Sequence, residues 1–262
     1  MELLAAAAKE AGAVALTFFR RNPASWVKEN DSPVSDADIA VDRLLAERLR
    51  PARPDYGWLS EETADDASRR SGRPAFIVDP IDGTREFLAG RSEWAISLAV
   101  VANGRPVAAA LAAPALRETF LASAGGGAWL NGAPITVARR DALEGVAVAG
   151  PRRYLRQVAE KARVDITSVR FIGSLAYRLA LVAAGRVDVA VARAGSRDWD
   201  LAAADLIVHE AGGRLTDLDG RLLRYDRAET RHPTIVASAA GIAGEVRRLV
   251  AAEAAALDFS MD

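Results

Sequence analysis

The sequence predicts an α+β fold, and three observations carry that prediction. Residues 94–138 hold short apolar runs separated by glycine turns, the pattern of antiparallel hairpins. After about residue 145 the chain alternates strand-like and helix-like stretches, the pattern of an α/β unit. The 262 residues are 50% hydrophobic and 26% charged, a globular composition with enough length for a large core.

The first stretch, MELLAAAAKEAGAVALTFFRRN, puts Leu4, Ala7, Ala8, Ala11, Val14, Ala15 and Phe18 on one helical face. Lys9 and Glu10 interrupt its apolar run and no basic region precedes it. It therefore reads as an amphipathic helix of a cytoplasmic protein and not as a signal peptide. No run of 18 apolar residues occurs, so no membrane span is expected. Asp31, Ser32 and Pro33 read as a loop. A second helix starts near Ser35 and turns Ile39, Leu44, Leu45 and Leu49 inward.

YGWLSEET is a short strand ending in acids, and RPAFIVDPIDGT is a second strand running into a tight turn. EWAISLAVVANGRPVAAALAAP is a hairpin turning at Asn103-Gly104. ETFLASAGGGAWLNGAPITVA repeats the pattern, with turns at Gly125 to Gly127 and at Asn131-Gly132. The N-terminal α+β half, residues 1–140, is thus expected to hold a large antiparallel sheet and two helices. A boundary within Arg139–Glu144 separates it from a C-terminal α/β half, residues 141–262. There GVAVAG is a strand, PRRYLRQVAEKA a helix and VRFIG a strand. SLAYRLALVAAG is a helix capped by Ser174 and closed by Gly185. VDVAVAR is a strand, and WDLAAADLIVHEAGG is a helix closed by Gly212 and Gly213.

Composition narrows the chemistry. Thirty-four basic and 35 acidic residues give a net charge of -1 with no basic block, which argues against a nucleic-acid polymer or a membrane surface as partner. The absence of cysteine removes disulfides, thiolate metal sites and a Cys nucleophile. With only two histidines, a bound metal would be held by oxygen, which means Mg²⁺, Mn²⁺ or Ca²⁺.

Acids fall at the ends of four expected elements: Asp38, Glu61-Glu62, the pair Asp79/Asp82, and Asp200. Each has an ordinary structural role open to it. Asp38 can complement a helix dipole, Glu61-Glu62 can be a solvated loop, and Asp200 can cap a helix after a buried Trp199. The turn VDPIDGT is harder to explain that way. Pro80 stiffens it, and Ile81 offers a carbonyl between two carboxylates. Gly83 and Thr84 offer N–H groups, and Thr84 adds a hydroxyl. One turn thus supplies hard ligands for a cation and donors for a phosphate, a combination suited to metal-assisted phosphoryl chemistry.

These segments resemble the inositol monophosphatase superfamily of Mg²⁺-dependent phosphatases. VDPIDGTREF resembles its first signature and WDLAAADLIVHEAGG its second. SEET and DSPVSDAD resemble two supporting elements, in the same order over nearly the whole chain. The resemblance implies a layered αβαβα sandwich, a homodimer and a site for two to three Mg²⁺ ions, with Mn²⁺ as a substitute. It implies that Glu61, Asp79 and the Ile81 carbonyl hold the first ion. Asp79, Asp82 and Asp200 hold the second, and Glu61 with waters holds a weaker third. Asp38 and Thr84 would orient and deprotonate the attacking water, and the N–H groups of Gly83 and Thr84 would hold the phosphate. Lithium sensitivity is implied as well. Ala89 stands where the first signature usually has a polar residue.

For the substrate, inositol-specific members of the superfamily carry a Glu seven residues before the second-signature Asp, where this chain has Arg193. Arginine cannot accept hydrogen bonds from a polyol but binds a second phosphate. Arg85-Glu86 and NDSPVS also resemble the CysQ-type 3′(2′),5′-bisphosphate nucleotidases. The expected reaction is conversion of adenosine 3′,5′-bisphosphate to AMP by metal-activated water attack. Ser174, Arg193, Arg152 and Arg153 are the candidate substrate-side residues. Inositol-1-phosphate and histidinol phosphate are the alternatives, fructose-1,6-bisphosphate a remoter one, and an inactive metal-binding module lies in a different class.

Overall fold

The computed structural model describes residues 1–28, 32–65, 67–70 and 72–258. Helix α1 (Glu2–Phe18) is followed by a two-stranded hairpin, β1 (Ser25–Val27) with β2 (Pro33–Ser35), and by helix α2 (Asp36–Ala52). Pro33, expected in a loop, begins β2, and Asp31 lies outside the described residues. Next come β3 (Gly57–Ser60), β4 (Ala75–Asp82), the short α3 (Thr84–Leu88), β5 (Ala95–Ala102) and β6 (Arg105–Ala113). Then follow β7 (Glu118–Ser123), β8 (Ala128–Leu130) and β9 (Ala133–Ile135). Strands β3 to β9 form one seven-stranded sheet in sequence order. It is antiparallel except for the pair β3/β4, which is parallel. The hairpin turns sit where Asn-Gly permits them: Asn103 has φ +53° and Gly104 +77°.

The second sheet takes β10 (Val146–Ala149), β11 (Ile166–Arg170), β12 (Val189–Ala192), β13 (Gly213–Asp217) and β14 (Ile235–Ala239) in the order 11-10-12-14-13. Helices α4 (Arg152–Ala162), α5 (Leu175–Ala183), α6 (Asp198–Glu210) and α7 (Ala243–Asp258) complete the chain. Strand β11 ends at Arg170, three residues earlier than the sequence suggests, so Phe171 to Gly173 form a connection into α5.

The elements stack in five layers. Helices α1 and α2 cover one face of the seven-stranded sheet. Helices α5 and α6 fill the space between the two sheets, and α4 and α7 cover the outer face of the second sheet. This is a layered α+β arrangement. A helix held between two sheets is largely apolar: α6 buries Leu201, Ala202, Ala203, Ala204, Leu206, Ile207 and Val208, and its two buried acids are partnered, Asp205 by Arg105 and Tyr225 and Asp198 by His232. Its small residues let both sheets approach closely. The core under α1 and α2 is separate, built on Leu4, Ala8, Ala11, Val41, Leu45, Leu49, Phe76 and Trp94.

One inward residue differs from expectation. Ile39 is 42% exposed, while Asp38 and Asp42 share the buried stripe of α2 with Ala37, Val41, Leu45 and Leu49. The helix is rotated so that two carboxylates face inward. That orientation is favourable because each has a partner: Ser35 and Thr84 for Asp38, and Ser60 for Asp42.

Candidate active site

Strand β4 carries the site. All eight of its residues are buried, including Asp79 and Asp82. Its register against β5 breaks between these two residues, because Pro80 has no N–H to give to a ladder. The strand therefore turns out of the sheet between two carboxylates. Helix α6 delivers Asp200 to the same place. Its start is tied to β5 by the Ser97 hydroxyl, which donates to the Trp199 carbonyl over 3.1 Å. Trp199 itself is half-buried, not buried.

One oxygen each from Asp79, Asp82 and Asp200 lies within 4.8 Å of the others. Three carboxylates so close, two of them buried and Asp200 half-buried, cannot all ionise comfortably. Burial, reinforced by Glu61, Asp82 and Asp200, pushes the Asp79 carboxyl well above its ordinary range. Burial raises Asp82 to about 6, although the Ser174 hydroxyl and backbone donors of α5 favour its charged form. Asp200 is raised well above its ordinary value by burial and by Asp82.

The partners of the three acids differ. Asp82 Oδ2 accepts from the Ser174 hydroxyl and, over 2.7 Å, from the Ala176 N–H at the start of α5. Asp200 Oδ2 accepts from the Arg197 N–H over 2.7 Å. Asp79 is 1% exposed, and neither of its carboxylate oxygens has a hydrogen-bond partner. A buried charge without partners is costly unless a cation lies against it. An all-oxygen set around an orphaned carboxylate fits a hard divalent ion.

Glu61 sits just past β3, where its N–H donates to the Val78 carbonyl over 3.2 Å and so keeps it beside Asp79. Lys28 reaches both Glu61, at 3.1 Å, and Glu62, at 2.6 Å. Burial nevertheless raises Glu62 to about 7, so the ammonium offsets only part of the desolvation.

Asp38 and Thr84 form a second polar cluster. Ser35 donates to Asp38 Oδ2 through its N–H, at 2.8 Å, and through its hydroxyl, at 2.6 Å. The Thr84 hydroxyl lies 3.1 Å from Asp38 Oδ1 and 3.0 Å from the Ile81 carbonyl. Burial raises the Asp38 carboxyl above its usual value despite these donors. Gly83 precedes α3 with φ +91°, and a Cβ there would lie 3.1 Å from the Ser174 side chain.

A cavity of about 250 Å³ opens over these groups, with Glu61, Asp79, Ile81, Asp82, Gly83, Thr84 and Asp200 in its wall. Arg85 and Glu86 line it too. Asp38 is reached through Thr84. Ser174 does not line the cavity, and its hydroxyl holds Asp82. Arg193 lies exposed beyond the end of β12, and Arg152 and Arg153 lie exposed at the start of α4. None of the three is in the wall. Ala89 is exposed and also outside the wall.

Two wall residues escaped the sequence analysis, Phe171 and Gly173, because the segment reads as strand. A further group the sequence reading did not name is Arg178 of α5, which positions this connection. Buried at 8% exposure, it donates to the Ile172 carbonyl over 3.0 Å and the Val191 carbonyl over 3.2 Å. A lone Arg in an apolar helix was the available signal for it.

A family profile described as the inositol monophosphatase family matches residues 1–259. An inositol-1-monophosphatase of Rhizobium meliloti is 38% identical over 195 residues, 71% of this chain and 73% of that protein. A histidinol-phosphatase of Chlorobaculum parvum is 34% identical, covering 84% and 86%. A 3′(2′),5′-bisphosphate nucleotidase CysQ of Aggregatibacter actinomycetemcomitans is 29% identical, covering 85% and 86%. Among solved structures, an IMPase of Thermotoga maritima superposes with a TM-score of 0.84 at 30% identity over 95% of both chains.

Proposed function

The chain belongs to the inositol monophosphatase family and is a metal-dependent phosphatase, and we propose that its substrate is a nucleoside 3′,5′-bisphosphate. The observation that carries the phosphatase chemistry is the orphaned Asp79 carboxylate in a cavity whose wall also holds Thr84 and Arg85. Glu61, Asp79 and the Ile81 carbonyl would hold a first Mg²⁺ or Mn²⁺. Asp79, Asp82 and Asp200 would hold a second, and Glu61 would contribute to a third. When bound, such ions supply Lewis-acid neutralisation of the phosphate and acidify a water molecule.

The chain's own residues do the rest. The Thr84 hydroxyl, placed between Asp38 Oδ1 and the Ile81 carbonyl, relays a proton from the attacking water to Asp38. A carboxylate with a raised pKa is the better base for that step. Ser174 and the start of α5 fix the Asp82 carboxylate, and the Arg197 N–H fixes Asp200, so the cluster is preorganised. Gly83 and Thr84 would present N–H groups to the phosphate.

The substrate reading rests on charge at the cavity. Arg85, a permanent cation, lines it directly and suits a second phosphate. Arg193 stands outside the wall and gives this reading no support of its own. Inositol-1-phosphate is the second reading, favoured by the higher identity to the Rhizobium meliloti protein. Phosphate release with Mg²⁺ from adenosine 3′,5′-bisphosphate and from inositol-1-phosphate, measured side by side, separates them. A large kcat/KM preference for the nucleotide is expected. A preference for the inositol ester would replace the first reading by the second.

A further inference from the structure

Phe171 is 53% exposed and lies in the wall of the acidic cavity. Its position follows from its neighbours. Ile172 is 1% exposed, packed in the core between the sheets, and its carbonyl is gripped by the buried Arg178. With Ile172 buried in the core, its exposed neighbour Phe171 faces away from it. Gly173 seals the arrangement. A Cβ there would stand 2.3 Å from the Glu86 side chain, so the segment lies flush against α3 and carries its neighbour to the cavity mouth.

Lone exposed hydrophobes are common on protein surfaces and need no function. This one differs in its surroundings. The described wall residues are carboxylates, glycines and small polar groups together with Pro33, Ile81, Arg85 and Glu86, and Phe171 is the one aromatic among them. A phenyl face beside a cation and a phosphate site is the chemistry that receives a flat heterocycle, since every base offers a π-face for stacking.

We propose that Phe171 is a specificity residue whose ring stacks on the base of the nucleotide while the carboxylate cluster holds the phosphate end. That role presupposes the nucleotide reading of the site. A polyol such as inositol gains little from a phenyl face, so Phe171 selects between the two ester classes.

The test compares wild type with Phe171→Ala, Phe171→Leu and Phe171→Tyr on adenosine 3′,5′-bisphosphate, inositol-1-phosphate and glycerol-2-phosphate, all with Mg²⁺. Loss of one stacking partner is worth about ten- to a hundredfold. Phe171→Ala is expected to raise KM for the nucleotide by at least about tenfold and to leave kcat nearly unchanged. Its kcat/KM on glycerol-2-phosphate stays within about twofold. Phe171→Tyr restores the nucleotide KM, and Phe171→Leu, apolar without a π-face, does not. Equal losses on all three esters, or no loss on the nucleotide, overturn the role of Phe171 while the nucleotidase reading stands on the wild-type preference. A change in the sedimentation of Phe171→Ala overturns it too, by assigning the ring to a contact between copies. A wild-type preference for inositol-1-phosphate overturns both together.

Discussion

Ser174 and Asp82, 92 residues apart in sequence, are joined directly, with the Ser174 hydroxyl donating to Asp82 Oδ2. The same hydroxyl oxygen accepts the Tyr177 N–H at 3.1 Å, capping α5. One atom therefore closes a helix and fixes a candidate metal ligand. Ser174→Ala removes both bonds. The expected loss is about 1–2 kcal/mol of stability, the range for an N-cap with a further buried bond. The Mg²⁺-induced rise in Tm also shrinks, because Asp82 keeps only its backbone donors. Melting curves with and without Mg²⁺ check this, and an unchanged metal-induced shift would separate Ser174 from the metal site.

Asp79→Asn tests the orphaned carboxylate. Without metal, the variant is expected to be at least as stable as wild type at pH 7, because it removes a buried carboxyl whose ionised form no protein group compensates. With Mg²⁺, it loses most of the stabilisation that ligand binding gives wild type. Turnover falls on the order of a thousandfold or more, the scale of losing several kcal/mol of metal-derived transition-state stabilisation. Near-wild-type activity with an intact fold would show that Asp79 does not bridge ions.

The acid cluster sets a pH dependence for the metal-free protein. In the folded chain burial raises Asp82 to about 6, against an ordinary Asp value of 3.8 when unfolded. The folded state therefore binds the proton more tightly. Its contribution to stability is complete below about pH 4 and is lost as pH rises through about 6. Asp79 and Asp200 are shifted in the same direction and extend the loss upward in pH. Metal-free protein should melt at a higher temperature at pH 5 than at pH 7.5, and saturating Mg²⁺ should reverse that order by favouring the ionised carboxylates. A metal-free Tm that rises steadily from pH 5 to 7.5 would contradict the clustering of these three acids.

The parts of this molecule legible in its sequence are those that local chemistry dictates. Asn103-Gly104 and Asn131-Gly132 mark hairpins because few residues adopt positive φ. Ser174 marks a helix start because its oxygen takes an orphan N–H. The turn at Asp79 to Thr84 announces itself because two anions there have no cheap structural use. What stayed hidden depends on distant partners. Ile39 looks inward by periodicity, yet the polar contacts of Asp38 and Asp42 set the rotation of α2. Strands β13 and β14 pair antiparallel across a long connection, and β14 also pairs antiparallel with β12, so no hairpin signal precedes them. Phe171 and Gly173 line the cavity on a connection whose Ile172 carbonyl is held by Arg178, inside α5.

Two of the arginines singled out by the sequence now make unequal predictions. Arg85 lines the cavity, while Arg193 is exposed beyond β12 and outside the wall. A hydrogen bond to a charged group is worth about 1.5–3 kcal/mol, or ten- to more than a hundredfold. Arg85→Ala is therefore expected to lower kcat/KM for adenosine 3′,5′-bisphosphate by about ten- to a hundredfold. Glycerol-2-phosphate, which has no second phosphate, should lose less. Arg193→Ala should alter the nucleotide reaction by no more than about twofold. The comparison needs both esters, because a general loss of phosphate affinity would lower them equally. If Arg193→Ala instead carries the selective loss, the second phosphate reaches past the cavity wall. The connection from β12 to α6 must then close over it when substrate binds, and Arg85 serves the first phosphate alone.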